Sequence, residues 1–429
     1  MAVDARIPYP LSAAAMPDAT TVPKRILLIG TLDTKGEELA YVRDMIAGRG
    51  HEALTIDVGI LTGPPFVPDI GAEEVARAGG ASLEELRERR DRGAAIDAMI
   101  AGLRRVVADL HERAGFDAVL GVGGGGGTAL ATAAMRELPV GMPKLMVSTM
   151  ASGDVAPYVD IKDVTMMYSV VDVAGLNLLS RRILANAVGA ICGMAEQNVP
   201  DAPDRPMIAV TMFGVTTPCV DAVRHRLELA GYSVVAFHAT GSGGRAMEAL
   251  IDDGWFVGVA DVTTTEWCDE VVGGVLSAGP DRLSAAGRAG IAQVVSVGAL
   301  DMVNFGAAET VPSRFRDRKL YRHNPSVTLM RTTAEECREI GARIAGQLAG
   351  ARGPTVLVLP LGGVSAIDAE GQPFHDPQAD RALFETLCEH APPNVEVVEV
   401  DAHVNAPEFA SVLSDHLLRL LEETGHAVH

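Results

Sequence analysis

Five consecutive glycines, Gly123, Gly124, Gly125, Gly126 and Gly127, closed by Thr128, follow the apolar stretch 116–122 and precede 129–135, a run of good helix formers. A strand, a glycine loop and a helix start in that order present backbone N–H groups at the positive end of a helix, with no side chain to block an anion. Five glycines exceed what a turn needs, and each costs backbone entropy on ordering. The loop reads as a cradle for a phosphate or carboxylate, with a plain strand-to-helix turn as the alternative.

Three more loops in the first half carry polar groups behind strand candidates. After 25–29 come Gly30, Thr31, Asp33, Thr34 and Lys35, which supply hydroxyls, a carboxylate and a lysine ahead of a helix. This loop is neither a Gly-x-Gly-x-x-Gly fingerprint nor a P-loop. Asp57, after the second strand candidate, stands about where a dinucleotide fold places its ribose-binding acid. After the fourth come Ser148, Thr149, Ser152, Gly153 and Asp154, flanked by Lys144 and Lys162. Lys35 and Lys162 can neutralise phosphates, and Asp33 or Asp154 can hold a magnesium ion through water. Taken singly, such Ser and Thr residues cap helices and turns. Four such loops in one half-chain argue for a site.

The second half offers a further glycine loop, with Gly241, Gly243, Gly244 and Arg245 as a second anion site. Asp261, Asp301, Arg331 and His403 are candidate catalytic residues at strand ends. Arg331 suits a substrate carboxylate, and a structural salt bridge is the competing role. Asp401 with His403, or His375 with Asp376, can supply an acid or base. His323, His375 and His403 lack metal-ligand spacing, so no metal site is assigned. The segment 363–367 ends in Ile rather than Gly, so Ser365 does not match a nucleophile elbow.

These loops need strands and helices to hold them. Strand candidates fall at 25–29, 53–58, 119–122 and 145–148, then at 207–211, 234–237, 257–261, 293–297, 327–330, 355–359 and 395–400. Helical stretches lie at 37–47, 82–114, 177–194, 334–349, 378–390 and 406–423, which implies βαβ crossovers and parallel sheets. In the charged stretch 82–114, Arg87, Arg89, Arg90 and Arg92 read as a solvated face. Three prolines in 197–206 mark a break. The expected domains are a loose tail over 1–23, a first domain over 24–198, a linker over 199–206 and a second domain over 207–429. The segments 29–34 and 212–217 open the two halves alike, a hint of duplication.

Composition agrees with an α/β fold. Of the 429 residues 48% are hydrophobic but only 4% aromatic, so cores are built from Ala, Val, Leu and Ile. A net charge of −20, with lysines only at 24, 35, 144, 162 and 319, argues against a nucleic-acid surface. Five cysteines without a Cys-x-x-Cys pair indicate reduced thiols and a cytoplasmic protein. The sequence shows no apolar run of the roughly 20 residues a bilayer span needs and no signal peptide, so no membrane partner is expected.

The strings 30–38, 123–128 and 148–155, followed by 238–248, 261–266, 298–306 and 323–332, resemble in order the ATP-binding N-terminal region of the tomato mosaic virus resistance protein and its uncharacterised bacterial relatives. The resemblance runs from about residue 24 to about 422. It implies an α/β chain of two Rossmann-like subdomains, each a mainly parallel sheet with helices on both faces, with ATP in the first and a homodimer. In the plant member this region also binds a viral replication protein, and a further C-terminal enzyme-like domain follows that has no counterpart here. The expected function is ATP binding, with Mg2+ as a companion, by an enzyme of unassigned reaction that takes a small anionic substrate near the domain cleft. The alternatives are a metabolic enzyme acting on a carboxylated or sugar-acid substrate in the second domain, and an ATP-dependent dimeric protein-binding module.

Overall fold

The computed structural model describes residues 22–61, 63–89, 91–198 and 205–428. The expected tail lies outside the described residues up to 21, and so does most of the expected linker, 199–204. The chain forms two compact units, Met1–Val159 with Asp163–Val199, and Asp160–Lys162 with Pro200–His429. Each is a parallel α/β sheet covered by helices, which is the expected class.

In the first unit β1 (Arg25–Gly30), β2 (Glu52–Asp57), β3 (Ala118–Gly123), β4 (Lys144–Ser148) and β5 (Thr165–Tyr168) form one sheet in the order β2-β1-β3-β4-β5. All its pairings are parallel. The all-buried patterns of β3 and β4 follow from their continuous small apolar sequences, which suit a strand covered on both faces. Strand order reverses between β1 and β3, so their outgoing loops diverge and leave a crevice at their carboxyl ends.

In the second unit β6 (Met207–Met212), β7 (Ser233–His238), β8 (Gly258–Thr263), β9 (Ala292–Gly298), β13 (Thr355–Pro360) and β14 (Val395–Val400) take the order β14-β13-β9-β8-β6-β7. This parallel sheet repeats the pattern of the first, with the second strand outside the first and the third beside it. The shared order extends the hint of duplication from two opening loops to a topology. A departure from the expected crossovers is a small antiparallel sheet inserted after β9. There β12 (Val327–Arg331) pairs with β10 (Met302–Phe305) and β11 (Leu320–Asn324). The apolar run of β12 carries no mark of strand direction.

The expected single helix over 82–114 is two, Leu83–Arg89 and Arg92–Glu112. Asp91 caps the second by accepting from the Ala94 amide at 3.1 Å. Together with the helix Ala72–Ala78 they form an arm beside the sheet. The arm crosses closely: a Cβ on Gly102 would stand 1.8 Å from the Val75 carbonyl oxygen, and one on Gly79 2.1 Å from that of Ala98. The helix Leu178–Glu196 is long and apolar enough to cross a membrane by length and composition. Its stripe of Leu184, Ala187, Val188 and Ile191 is nonetheless buried against the sheet.

Because backbone meets backbone at Gly102, Gly102→Ala is expected to cost about 1–3 kcal/mol of first-unit stability, as overpacking does. Far-UV circular dichroism during urea unfolding measures this. An unchanged midpoint would mean that the arm does not depend on that crossing.

Candidate functional site

The crevice between β1 and β3 is a cleft of about 790 Å³, within the range of small-molecule sites. Its rim is polar and its walls are apolar. Thr31, Asp33, Thr34 and Lys35 line it from the loop after β1, and Gly124, Gly125, Gly126 and Gly127 from the loop after β3. Val58, Ile60, Leu86, Met99 and Leu130 supply apolar wall.

The glycine loop is the start of the helix Gly125–Met135, which has no side-chain cap. Among the described residues no backbone acceptor meets the amides of Gly125, Gly126 and Gly127. A Cβ placed on any residue of 124–127 would find nothing nearer than 3.7 Å. Their bareness therefore opens space in the cleft and is not a demand of internal packing. Thr128 and Ser148 fix the loop from beneath. The Thr128 hydroxyl donates to the Gly124 carbonyl at 2.8 Å and lies 2.6 Å from the Ser148 hydroxyl, which accepts from the Met150 amide.

Several expected ligand groups do other work. Gly30 ends β1 where a Cβ would strike Leu39, and Gly123 backs onto Gly127. The loop after β4 does not line the cleft. Ser152 and Gly153 are exposed, Asp154 caps a short helix through the Ala156 amide, and Thr149 sits beside Gly124 outside the lining. Lys162 pairs with Asp253 at 3.7 Å, and Lys144 is buried against Asp163. Asp57 is not free for a ribose. It is buried, and one of its oxygens accepts from the Leu32 and Gly59 amides at 2.9 and 2.8 Å, which ties the first two strand loops together. Burial raises its carboxyl above the usual range, against the pull of those two amides.

Asp33 accepts from the Leu61 amide at 2.7 Å through one oxygen, while its other is buried without a partner among the described residues. Lys35 donates to the carbonyl of Val173. Arg87 and Arg92 are exposed, as a solvated face requires, and both also line the cleft, which the sequence reading did not assign to them. Arg87 is held by the Ile60 carbonyl at 2.7 Å. Arg92 has no hydrogen bond or ion pair among the described residues, and its guanidinium lies 3.7 Å from the position of a Cβ on Gly126. The sequence signal for it was Asp91, a helix cap inside the charge run, which breaks the long helix and turns Arg92 toward the glycines. Arg90 lies outside the described residues.

The second unit uses its candidate residues internally. The amides of Gly241 and Gly244 both donate to Glu266, at 2.8 and 3.1 Å, so the expected second anion site is filled by the protein's own carboxylate. Gly243 is packed against His238, where a Cβ would stand 1.9 Å from the carbonyl oxygen, and Arg245 pairs with Asp160 at 2.7 Å. Asp261 is gripped by both terminal nitrogens of the fully buried Arg282, at 2.5 and 2.6 Å. Arg282 also binds Glu266 at 2.6 Å and Glu248 at 3.2 Å. Burial opposes the Arg282 charge, and the carboxylates around it overcome that and raise its pKa.

Arg331 has the structural role weighed against substrate binding. It is buried and bonds the Phe374 carbonyl at 2.7 Å, Asp368 at 3.3 Å and Asp380 at 2.5 Å. Asp301 is buried beneath it and accepts from Ser365 at 2.7 Å. Burial, against the attraction of Arg331, pushes Asp301 and Asp368 up to about 6 and Asp380 up to about 7. His403 accepts from the Asn405 amide at Nδ1, 3.1 Å, and so donates from Nε2 to the Ser365 carbonyl at 2.9 Å. Both ring nitrogens are engaged. Asp376 caps a helix through the Ala379 amide, and Asp401 is exposed. Among the described residues no group of three or more His, Cys, Asp or Glu side chains is arranged to hold a metal.

Fold and site together define a two-unit, doubly wound α/β protein with an open, glycine-lined cleft at the first unit's switch point. The chain belongs to the uncharacterised protein family UPF0261, whose N-terminal domain matches residues 24–200 and whose C-terminal domain matches residues 205–421. It is 51% identical over 402 residues to a UPF0261 protein of Clostridium tetani, covering 93% of this chain and all of that one. A UPF0261 protein of Rhizobium meliloti is 50% identical, over 90% of this chain and 96% of its own. The ToMV resistance protein Tm-1 of Solanum lycopersicum is 37% identical over 96% of this chain, and the match spans 58% of the tomato protein.

Two predictions concern the buried ion clusters. Both tryptophans, Trp255 and Trp267, lie in the second unit, so their fluorescence reports its unfolding. Arg282→Met leaves Asp261 and Glu266 as buried unpaired charges and is expected to cost about 3–5 kcal/mol. A loss below 1 kcal/mol in urea titration would contradict that role. The carboxyls raised to about 6 and 7 bind protons in the folded state that the unfolded chain has released. Their stabilisation is therefore present below about pH 4 and is lost as pH rises through 7. The urea midpoint is expected to fall between pH 5 and pH 8, and Asp380→Asn to flatten that slope; a slope unchanged in the variant would refute the assignment.

Proposed function

We propose that the first-unit cleft binds a nucleotide through its phosphates, with ATP as the ligand, and that the protein is an enzyme acting from this site. The observation that carries the reading is the set of bare amides at Gly125, Gly126 and Gly127 with the unpaired guanidinium of Arg92 beside them. Backbone N–H groups at a helix start and a free arginine are complementary to phosphate oxygens in charge and geometry. The apolar wall of Val58, Ile60, Leu86, Met99 and Leu130 suits the flat base.

The unpartnered oxygen of Asp33 fits the companion magnesium ion, held through water. When bound, that ion would neutralise phosphate charge. Asp33, Thr31 and Thr34 then orient the polyphosphate on one side and Arg92 on the other. The contrast with the second unit supports this placement, because Glu266, Asp368 and Asp380 already occupy the anion-binding groups there. A cytoplasmic homodimer belongs to the same reading and is a proposal on the same footing.

At about 100 times its Kd, ATP is expected to stabilise the first unit by about 2.7 kcal/mol, read as a rise in melting temperature. Gly126→Val places a side chain in the cradle without striking the protein and should abolish this rise while leaving the unliganded melting temperature close to wild type. Arg92→Gln should weaken ATP by roughly tenfold, the worth of one charge-assisted hydrogen bond. No shift of the wild-type protein in millimolar Mg-ATP would end the nucleotide reading.

A further inference from the structure

We infer that Lys35 is a latch between the cleft and the segment 169–177, and that a phosphate-bearing ligand in the cleft releases it. The inference rests on the nucleotide reading for its ligand but on separate contacts for its mechanism. Lys35 lines the cleft, yet its ammonium donates to the carbonyl of Val173, outside that lining. It does so from a break in its own helix: within Leu32–Gly48, Lys35 has φ −128° and ψ 21°, which are not helical values. The side chain thus leaves from a hinge at the cleft edge.

Two further contacts from the same helix reach this segment and the helix Leu178–Glu196 that follows it. Glu38 accepts from the Gly175 amide at 2.6 Å, and the Tyr41 hydroxyl donates to the Arg181 carbonyl at 3.4 Å. Glu38 and Tyr41, three apart, lie on one face of the helix that continues beyond the break at Lys35. The segment itself is poised to move. Val170 sits at φ 62°, a conformation that costs a β-branched residue on the order of 1–3 kcal/mol. A cavity of about 10 Å³, room for about one water, adjoins Ser169, Val171 and Val173. Val170 is 60% exposed, and Leu178 just beyond the segment is 71% exposed. The Val173 side chain is buried in the core, so what release can move is the exposed backbone beside it at Ala174, Gly175 and Asn177.

An ammonium is attracted more strongly by a phosphate oxygen than by a neutral carbonyl. A ligand whose phosphates lie on the glycine loop therefore draws Lys35 into the cleft, and the bond to Val173 is lost. Coupling of this kind is reciprocal: whatever holds the segment open must also tighten phosphate binding by the same factor.

Hydrogen exchange of the full chain tests the latch. In the absence of ligand, Lys35→Met should speed exchange of the amides in 173–177 by about tenfold, the worth of one hydrogen bond to a charged group, with those of β3 unchanged. Lys35→Arg keeps a charged donor and should hold exchange near the wild-type rate. In the wild type, ATP should slow exchange at 125–127 and speed it at 173–177, an arm that needs no variant. In Lys35→Met, ATP should still slow 125–127 but add nothing at 173–177. Unchanged exchange at 173–177 in unliganded Lys35→Met overturns the latch. So does ATP that protects 125–127 while leaving 173–177 unchanged or slower. Protection at neither stretch overturns the nucleotide reading of the cleft and with it ligand control of Lys35.

Discussion

A helix that begins at the carboxyl end of a parallel strand brings unpaired amides and a positive dipole end to the mouth of the sheet, and an acceptor must meet them. The two units answer this demand differently at the turn after the third strand. In the second unit that turn carries Glu266, whose carboxylate reaches across to close the amides of Gly241 and Gly244 at the turn after the second strand. In the first unit it carries Gly124–Gly127, with no acceptor of its own. One turn's amides are closed by the protein's own carboxylate, and among the described residues the other's are not. Thr128 and Ser148 hold that open turn from beneath.

The second unit shows what it takes to keep charge inside an apolar core. Arg282 and Arg331 each gather several carboxylates, because a buried charge is tolerated only when paired and hydrogen-bonded. Around Arg331 the acids outnumber the guanidinium, so protons make up the difference and the carboxyl pKa values rise. The cluster joins β12, the end of β9 and the helix Pro377–His390. It anchors the inserted antiparallel sheet to the parallel one. Residues that looked catalytic in sequence are there for this reason.

Much of the scaffold was legible. Apolar runs marked most strands within a residue or two, since a strand buried on both faces must be apolar throughout. The glycine run pointed to the open cradle, because no internal packing needs four bare positions in a row. Other features were hidden by the nature of the signal. Period and composition carry no strand direction, so the antiparallel pairing of β12 did not show. A charged run has no sign of which exposed residues border a cleft, so the place of Arg92 beside the glycines did not show. Gly241–Arg245 and Gly123–Thr128 look alike as strings, and only the presence of Glu266 next to one of them separates a filled nest from an open one.

The amino-acid sequence by itself determined the α/β class, the two-part organisation and the glycine turn, because each depends on neighbours along the chain: apolar period, breaks and backbone freedom. Tertiary structure decided which polar groups are available. Asp57, Asp261, Arg331 and His403 are occupied by partners 21 to 43 positions away in the chain, whereas Arg92 has none among the described residues. Whether a side chain can meet a ligand depends on what else is within hydrogen-bond distance, and that is a property of the folded chain in space.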